Sequence, residues 1–204
     1  MGVTVAMYGD GAANQGQIWE AANMSKLWGL PLILFCENNQ YGMGTSVDRH
    51  SCNPSYYQQG GVAIPGIKLD GMDVLAMRDG MKWCKEYAGK GNGPLFVECR
   101  TYRYHGHSMS DPGVTYRDRE EVNEMRKTKD CIDLVKSRII EAGWASADEL
   151  KAIEKSIRKE VDADIEAAKK HPLPAEDELY TDIYYNEVPA FIRGAEKTLA
   201  RVRQ

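Results

Sequence analysis

The feature that most constrains this chain is an acid framed by glycines, Gly9-Asp10-Gly11, set between an apolar run, Val3–Tyr8, and a stretch with helical periodicity. Ile18, Ala21, Ala22, Ser25 and Trp28 recur near a 3.6-residue spacing, so Gln15–Trp28 predicts a helix, and Gly29-Leu30-Pro31 ends it. Leu32–Glu37 then reads as a second, buried strand, followed by the loop Asn38-Asn39-Gln40-Tyr41-Gly42-Met43-Gly44. Strand, crossover helix and strand imply a parallel pair with a right-handed connection. Glycines in the first loop let the backbone approach an anion closely, with the helix amides turned toward it.

A dinucleotide fold would share that order of elements. The chain comes close to G-x-G-x-x-G, with Gly9, Gly11 and then Asn14 at the third glycine, and Glu37 imitates the ribose-binding acid. Two features weigh against it. Asp10 aimed at a diphosphate is repulsive unless a cation lies between them, and Mg2+ accepts a carboxylate, other oxygens and diphosphate oxygens together. Asn38-Asn39 closes the next strand, where the C-terminal ends of parallel neighbours meet, and an Asn oxygen there can complete the shell. The pair, separated by residues 12–37, reads as a Mg2+–diphosphate clamp whose spacing encodes one crossover helix.

Downstream, residues 45–66 read as loop with one short helix near Tyr56, and Ile67–Asp70 as a third strand. Asp73 is an N-cap candidate for a helix through Ala88, and Leu95–Thr101 is a fourth strand. Repeated alternation of strand and helix predicts a doubly wound, mostly parallel α/β sheet. Tyr102–Arg117 is a loop rich in His, Ser, Asp, Pro and Gly that follows the C-terminal end of a strand, the edge where the clamp sits. From Asp118 to Lys170 the pattern is helical, with Asp130 and Ser146 as caps, and Pro172–Glu178 is a linker. The expected organisation is an α/β domain over 1–128 and a helical extension with a tail over 129–204.

The net charge of −4 lacks the basic stripe that nucleic-acid binding needs, and no stretch approaches the ~20 apolar residues of a membrane span. Five cysteines, an odd number without a C-x-x-C pair, suit a reducing compartment and read as buried or incidental thiols. Val3–Tyr8 reads as a buried parallel strand almost at Met1, so the chain is expected to be an N-terminally truncated or processed piece of a longer protein.

The clamp resembles the fingerprint of thiamine-diphosphate enzymes. The blocks "GDGAANQGQIWEA", "CENNQYGMGTSV", "IPGIKLDGMDV" and "TYRYHGHSMSDPGVTYR" are similar to successive blocks of mitochondrial pyruvate dehydrogenase alpha subunits, most strongly over residues 3–120. Branched-chain relatives usually carry another acid in the glycine loop and two adjacent histidines later. Gly9-Asp10-Gly11 and His105-Gly106-His107 favour the pyruvate branch.

The resemblance implies that Asp10, the Asn39 side chain and the Tyr41 carbonyl bind Mg2+, and that Gly11 and Ala12 contact the diphosphate through their backbone. It makes His107 an active-site residue, able to hold diphosphate or substrate oxygens and assist proton transfer. Arg103 supports the loop or faces the phosphates, and Tyr102 and Tyr104 pack. Ser108 matches the main inhibitory phosphorylation site and Ser46 another. Thr115 matches a third, where animal relatives carry Ser. The implied reaction is decarboxylation of pyruvate with acetylation of a lipoyl group, in the mitochondrial matrix. The implied partners are a beta subunit in an α2β2 heterotetramer, which supplies the cofactor-activating glutamate, a dihydrolipoyl transacetylase core, and a regulatory kinase and phosphatase. Two alternatives stay open at this point: a nicotinamide oxidoreductase, and a non-catalytic module that binds beta chains without turnover.

Overall fold

The computed structural model of the chain describes residues 2–176 and 178. It divides into two compact units, the first Met1–Ala145 and the second beginning at Ser146. Strand β1 (Thr4–Gly9), helix α1 (Gly16–Leu27) and strand β2 (Leu32–Asn38) open the first unit. A two-stranded hairpin, β3 (Tyr41–Gly42) with β4 (Thr45–Ser46), and a short helix α2 (Val47–His50) follow. Then come β5 (Gly66–Asp70), α3 (Val74–Gly89), β6 (Leu95–Arg100), α4 (Arg119–Lys129) and α5 (Cys131–Glu141).

The main sheet has the order β1-β2-β6-β5, and every pairing is parallel. Alternation along the two central strands sends side chains to opposite faces. Ile33, Phe35, Leu95 and Val97 pack with Cys84 and Ala88 of α3, whereas Leu34 and Phe96 pack with Ala22 of α1 and Ile64. Both faces are thus covered, which is why β2 and β6 read as continuous apolar runs. The expected doubly wound α/β architecture is observed.

Strand β1, expected as a buried strand of a longer protein, has β2 as its partner among the described residues, and in this span Val5 is 44% and Met7 67% exposed. One local expectation is corrected: Trp28 leaves the helix stripe, because it is the C-cap of α1 and 60% exposed, while Ala22 and Ser25 carry the buried face.

Polar anchors set the loops at the C-terminal edge of the sheet. Glu98, fully buried on β6, accepts from Asn38 Nδ2 (3.0 Å), pairs with Lys68 Nζ (3.2 Å) and accepts from the Tyr57 amide (3.3 Å). Asp73 caps α3 by accepting from the Leu75 and Ala76 amides, and Arg138 of α5 grips its carboxylate through both terminal nitrogens (2.9 and 2.8 Å). The Arg138 contact leads the causes that hold the Asp73 carboxyl well below the usual carboxylate range. Asp130 caps α5 in the same way.

In the second unit Ser146 opens α6 (Ala147–Lys170) with a capping box: its hydroxyl accepts from the Glu149 amide, and the Glu149 carboxylate accepts from the Ser146 amide at 2.8 Å. Tyr180–Gln204 lies outside the described residues. Among the described residues no helix is long and apolar enough to cross a membrane. All five thiols are free, and burial of Cys84 and Cys99 pushes both up to about 11, so neither carries a reactive thiolate at neutral pH.

Candidate active site

Asp10 sits immediately beyond β1, one residue past the last register pair, Gly9↔Glu37, and only 1% of it is exposed. A buried carboxylate needs a partner. Its Oδ2 lies 3.2 Å from His50 Nε2, the hydrogen bond its side chain makes among the described residues. Asn14, in the 3-10 turn Ala12–Asn14 before α1, donates to the Asp10 carbonyl at 3.0 Å, and its amide nitrogen is also 3.0 Å from His50 Nδ1. With the amide as donor, Nδ1 accepts and the ring proton sits on Nε2, facing Asp10.

The Asn38-Asn39 segment divides its labour. Asn38 is buried and structural, its oxygen accepting from the Gln40 amide and side chain (3.1 and 2.8 Å) while its nitrogen donates to Glu98. Asn39 is half-buried and its oxygen accepts the Tyr41 amide at 3.2 Å, which folds the chain back over the loop. Gln40 and Met43 both have left-handed backbone (φ 75° and 57°), a conformation that costs a non-glycine residue about 1–2 kcal/mol. This fold brings Gly42 onto the first loop. A Cβ on Gly42 would lie 3.3 Å from Gly11 Cα and 3.3 Å from His50 Nε2, so the two loops approach closely there and a larger residue would have to push a neighbour aside.

The donor set suits a hard cation coupled to an anionic ligand. It offers one carboxylate whose second oxygen accepts no hydrogen bond among the described residues, an Asn oxygen and a loop carbonyl beside two glycines. Among the described residues no three His, Cys, Asp or Glu side chains could hold a metal by themselves. A cation here therefore needs ligand oxygens to fill its shell, the manner in which Mg2+ binds through one or two carboxylates plus phosphates. The residues fit a Mg2+–diphosphate group.

The second loop is organised around a buried arginine. Arg117, 6% exposed, donates to the carbonyls of Gly113 (2.9 Å), Arg103, Tyr104 (3.2 Å) and His105 (3.0 Å). Its guanidinium also lies 5.4–5.8 Å from the ring centres of Tyr102, Tyr41 and Tyr116. Asp111 ties the crown of the loop, accepting the amides of His107 and Gly113 and the Tyr116 hydroxyl, each at 2.8 Å. Those bonds, the His107 amide foremost, hold its carboxyl down at about 2. Burial and then Glu121, which accepts the Tyr102 hydroxyl at 2.8 Å, push that phenol up to about 12.

Arg103 joins the two loops. It donates to the Tyr41 carbonyl (3.3 Å), the Met43 carbonyl (2.6 Å) and the Tyr116 hydroxyl (2.9 Å). Of its two expected roles, support of the loop is the one these bonds describe. The same Tyr41 carbonyl is an expected metal ligand, and its second lone pair remains for that purpose.

Asp10, Gly11, Asn39 and Tyr41 thus converge at one sheet edge, with Ala12 starting the turn beside them. His107 is exposed, and no hydrogen bond links its ring to Asp10, Asn39 or Tyr41. Ser108 and Thr115 are also exposed, the Ser108 hydroxyl lying 3.0 Å from that of Ser110. His105, Ser108, Asp111 and Arg119 line a cavity of about 710 Å3, and Ser46, half-buried before α2, lines a smaller one of about 270 Å3 with Tyr41 and Glu121. Sequence reasoning missed His50, Asn14, Asp111 and Arg117. Nothing in their spacing marked the first two, because the loop geometry alone brings residues 14 and 50 together.

The dehydrogenase E1 component family profile matches residues 1–176. The chain belongs to the dehydrogenase E1 component family. Among curated members, it is 54% identical over 193 residues to a probable pyruvate dehydrogenase E1 component subunit alpha, mitochondrial, from Caenorhabditis elegans, covering 95% of this chain and 48% of that protein. It is 50% identical to the bovine somatic mitochondrial alpha subunit and 49% identical to the human one, each over 96% of this chain and 50% of the relative. This E1 component chain therefore spans about half the length of the curated relatives it matches.

Proposed function

We propose that the chain is the alpha-subunit portion of a mitochondrial pyruvate dehydrogenase and takes part in binding Mg2+–thiamine diphosphate at the Asp10 loop. The observation that carries this reading is the buried Asp10 carboxylate, one oxygen of which is bonded to His50, at the C-terminal edge of a parallel sheet where Gly11 and Gly42 approach closely. Asp10, the Asn39 oxygen and the Tyr41 carbonyl would hold the cation, and the Gly11 and Ala12 backbone would meet the diphosphate. Thiamine diphosphate bound there supplies the carbanion chemistry for decarboxylating pyruvate and passing the acetyl unit to a lipoyl group.

The chain's own residues anchor, orient and guard. Arg103 fixes the Tyr41 carbonyl relative to the second loop, and Arg117 with Asp111 shapes the segment that presents His107. His107 donates a hydrogen bond to diphosphate or substrate oxygens and assists proton transfer from that segment. A beta subunit completes the pocket in an α2β2 assembly and provides the activating glutamate, and a dihydrolipoyl transacetylase core carries the acceptor. Without that subunit the chain is inactive. Phosphorylation at Ser108 adds close to two negative charges beside a diphosphate-binding loop and switches the enzyme off, with Ser46 and Thr115 as further kinase targets.

The test is coexpression with a pyruvate dehydrogenase beta subunit and measurement of CO2 release from pyruvate and from branched-chain 2-oxo acids. The expected result is Mg2+- and thiamine-dependent release from pyruvate, abolished in Ser108→Glu. Copurification without release from any oxo acid would replace this reading with that of a non-catalytic assembly module. A thermal shift with NAD but not with thiamine diphosphate would restore the dinucleotide reading.

A further inference from the structure

We propose that His50 is a positioning residue for the cation site: its Nε2, 3.2 Å from Asp10 Oδ2, fixes the carboxylate so that Oδ1 is presented for the metal. The inference rests on the proposed role of Asp10 and adds to it a residue outside the fingerprint. A carboxylate has about four acceptor positions, so one imidazole donor leaves room for a cation. The grip on Asp10 is double. A single Asn14 carboxamide nitrogen holds both the Asp10 carbonyl and the His50 ring at 3.0 Å, so backbone and carboxylate are set from one point. Tyr56, 1% exposed, backs the same amide with its hydroxyl at 3.4 Å.

The ring has little freedom to leave. It ends α2, whose first residue, Val47, is buried, and the His50 side chain is 16% exposed. Gly42 lies against it, where a Cβ would come within 3.3 Å of Nε2. An Asp10 carboxylate without this partner would be buried and free to rotate away from the sheet edge. Groups that orient a metal ligand in this way typically account for about 10- to 100-fold in metal affinity.

The sign of the effect is diagnostic. If His50 occupied the lone pairs a cation needs, its removal would tighten binding; if it positions Asp10, removal weakens it. The assay is the Mn2+ dissociation constant in the presence of saturating thiamine diphosphate, read from the electron paramagnetic resonance of free Mn2+ on the chain copurified with its beta subunit. His50→Ala is expected to weaken Mn2+ by about 10- to 100-fold. His50→Gln, which keeps an N–H donor at similar reach, should stay near the parent value, a rescue that a purely structural role would not produce. His50→Phe, which fills the place of the ring without a donor and leaves the Asn14 bond to the Asp10 carbonyl in place, should weaken Mn2+ in the same direction and decides the matter if His50→Ala does not fold. Unchanged or tighter Mn2+ binding in the variants that remove the donor, His50→Ala and His50→Phe, with Asp10→Asn defective, overturns the role of His50 alone. Full binding by Asp10→Asn overturns the underlying reading of the site.

Discussion

Replacing Arg117 by lysine should unlock the second loop while leaving the sheet intact. The guanidinium bonds four carbonyls, those of Arg103, Tyr104, His105 and Gly113, and lies close to three tyrosine rings. A hydrogen bond from a charged donor contributes about 1.5–3 kcal/mol net, and a lysine ammonium retains no more than two of the four in this fork. The loss is then about 3–6 kcal/mol, a large share of a typical folding stability of about 5–15 kcal/mol. The freed carbonyls belong to a surface loop and can turn to water, so the chain escapes most of that cost by opening locally. Amide hydrogen exchange reads the outcome directly, because the His107 and Gly113 amides are bonded to Asp111 within this loop. Arg117→Lys should speed their exchange by at least about 100-fold, since 1.4 kcal/mol is a factor of ten. Protection across β2 and β6 should not change. Unaltered exchange at His107 and Gly113 would refute the view that Arg117 organises the loop.

Asp111 predicts an acid transition confined to the same loop. Its folded carboxyl is held at about 2, below the ordinary value of about 3.9, so its contribution is complete above the ordinary value and is lost as pH falls toward about 2. Loop amide signals followed by NMR should loosen in that window in the parent protein and show no such step in Asp111→Asn. Gly66→Ala should destabilise the first unit by about 3 kcal/mol or more in chemical denaturation, because a Cβ there collides with the Tyr57 carbonyl oxygen, whose chain is anchored to Glu98.

The fold was legible wherever one local signal dominated. Apolar runs and breakers located β2, β5 and β6 to within a residue or so, and Asp73, Asp130 and Ser146 cap helices as their side chains predict. The sheet order was not readable, because strand pairing depends on how β6 inserts between β2 and β5, which no local pattern encodes. At the candidate site the spacing of Gly9-Asp10-Gly11 and Asn38-Asn39 pointed to the clamp, but it did not separate the two asparagines. The structure does, by burying Asn38 against Glu98 and leaving Asn39 to shape the loop. His50 and Arg117 carry no motif. Each matters through contacts to backbone or to a residue far away in sequence, which only the folded chain defines.

The most direct test of the account is the affinity of the copurified alpha–beta assembly for thiamine diphosphate, titrated calorimetrically in Mg2+ for the parent chain and for Asp10→Asn. Removing the buried carboxylate proposed to hold the cation should abolish measurable Mg2+-dependent binding while the assembly and its thermal midpoint persist. Equal thiamine diphosphate and Mg2+ affinity in the two proteins would contradict the claim that Asp10 holds the metal and the metal holds the diphosphate.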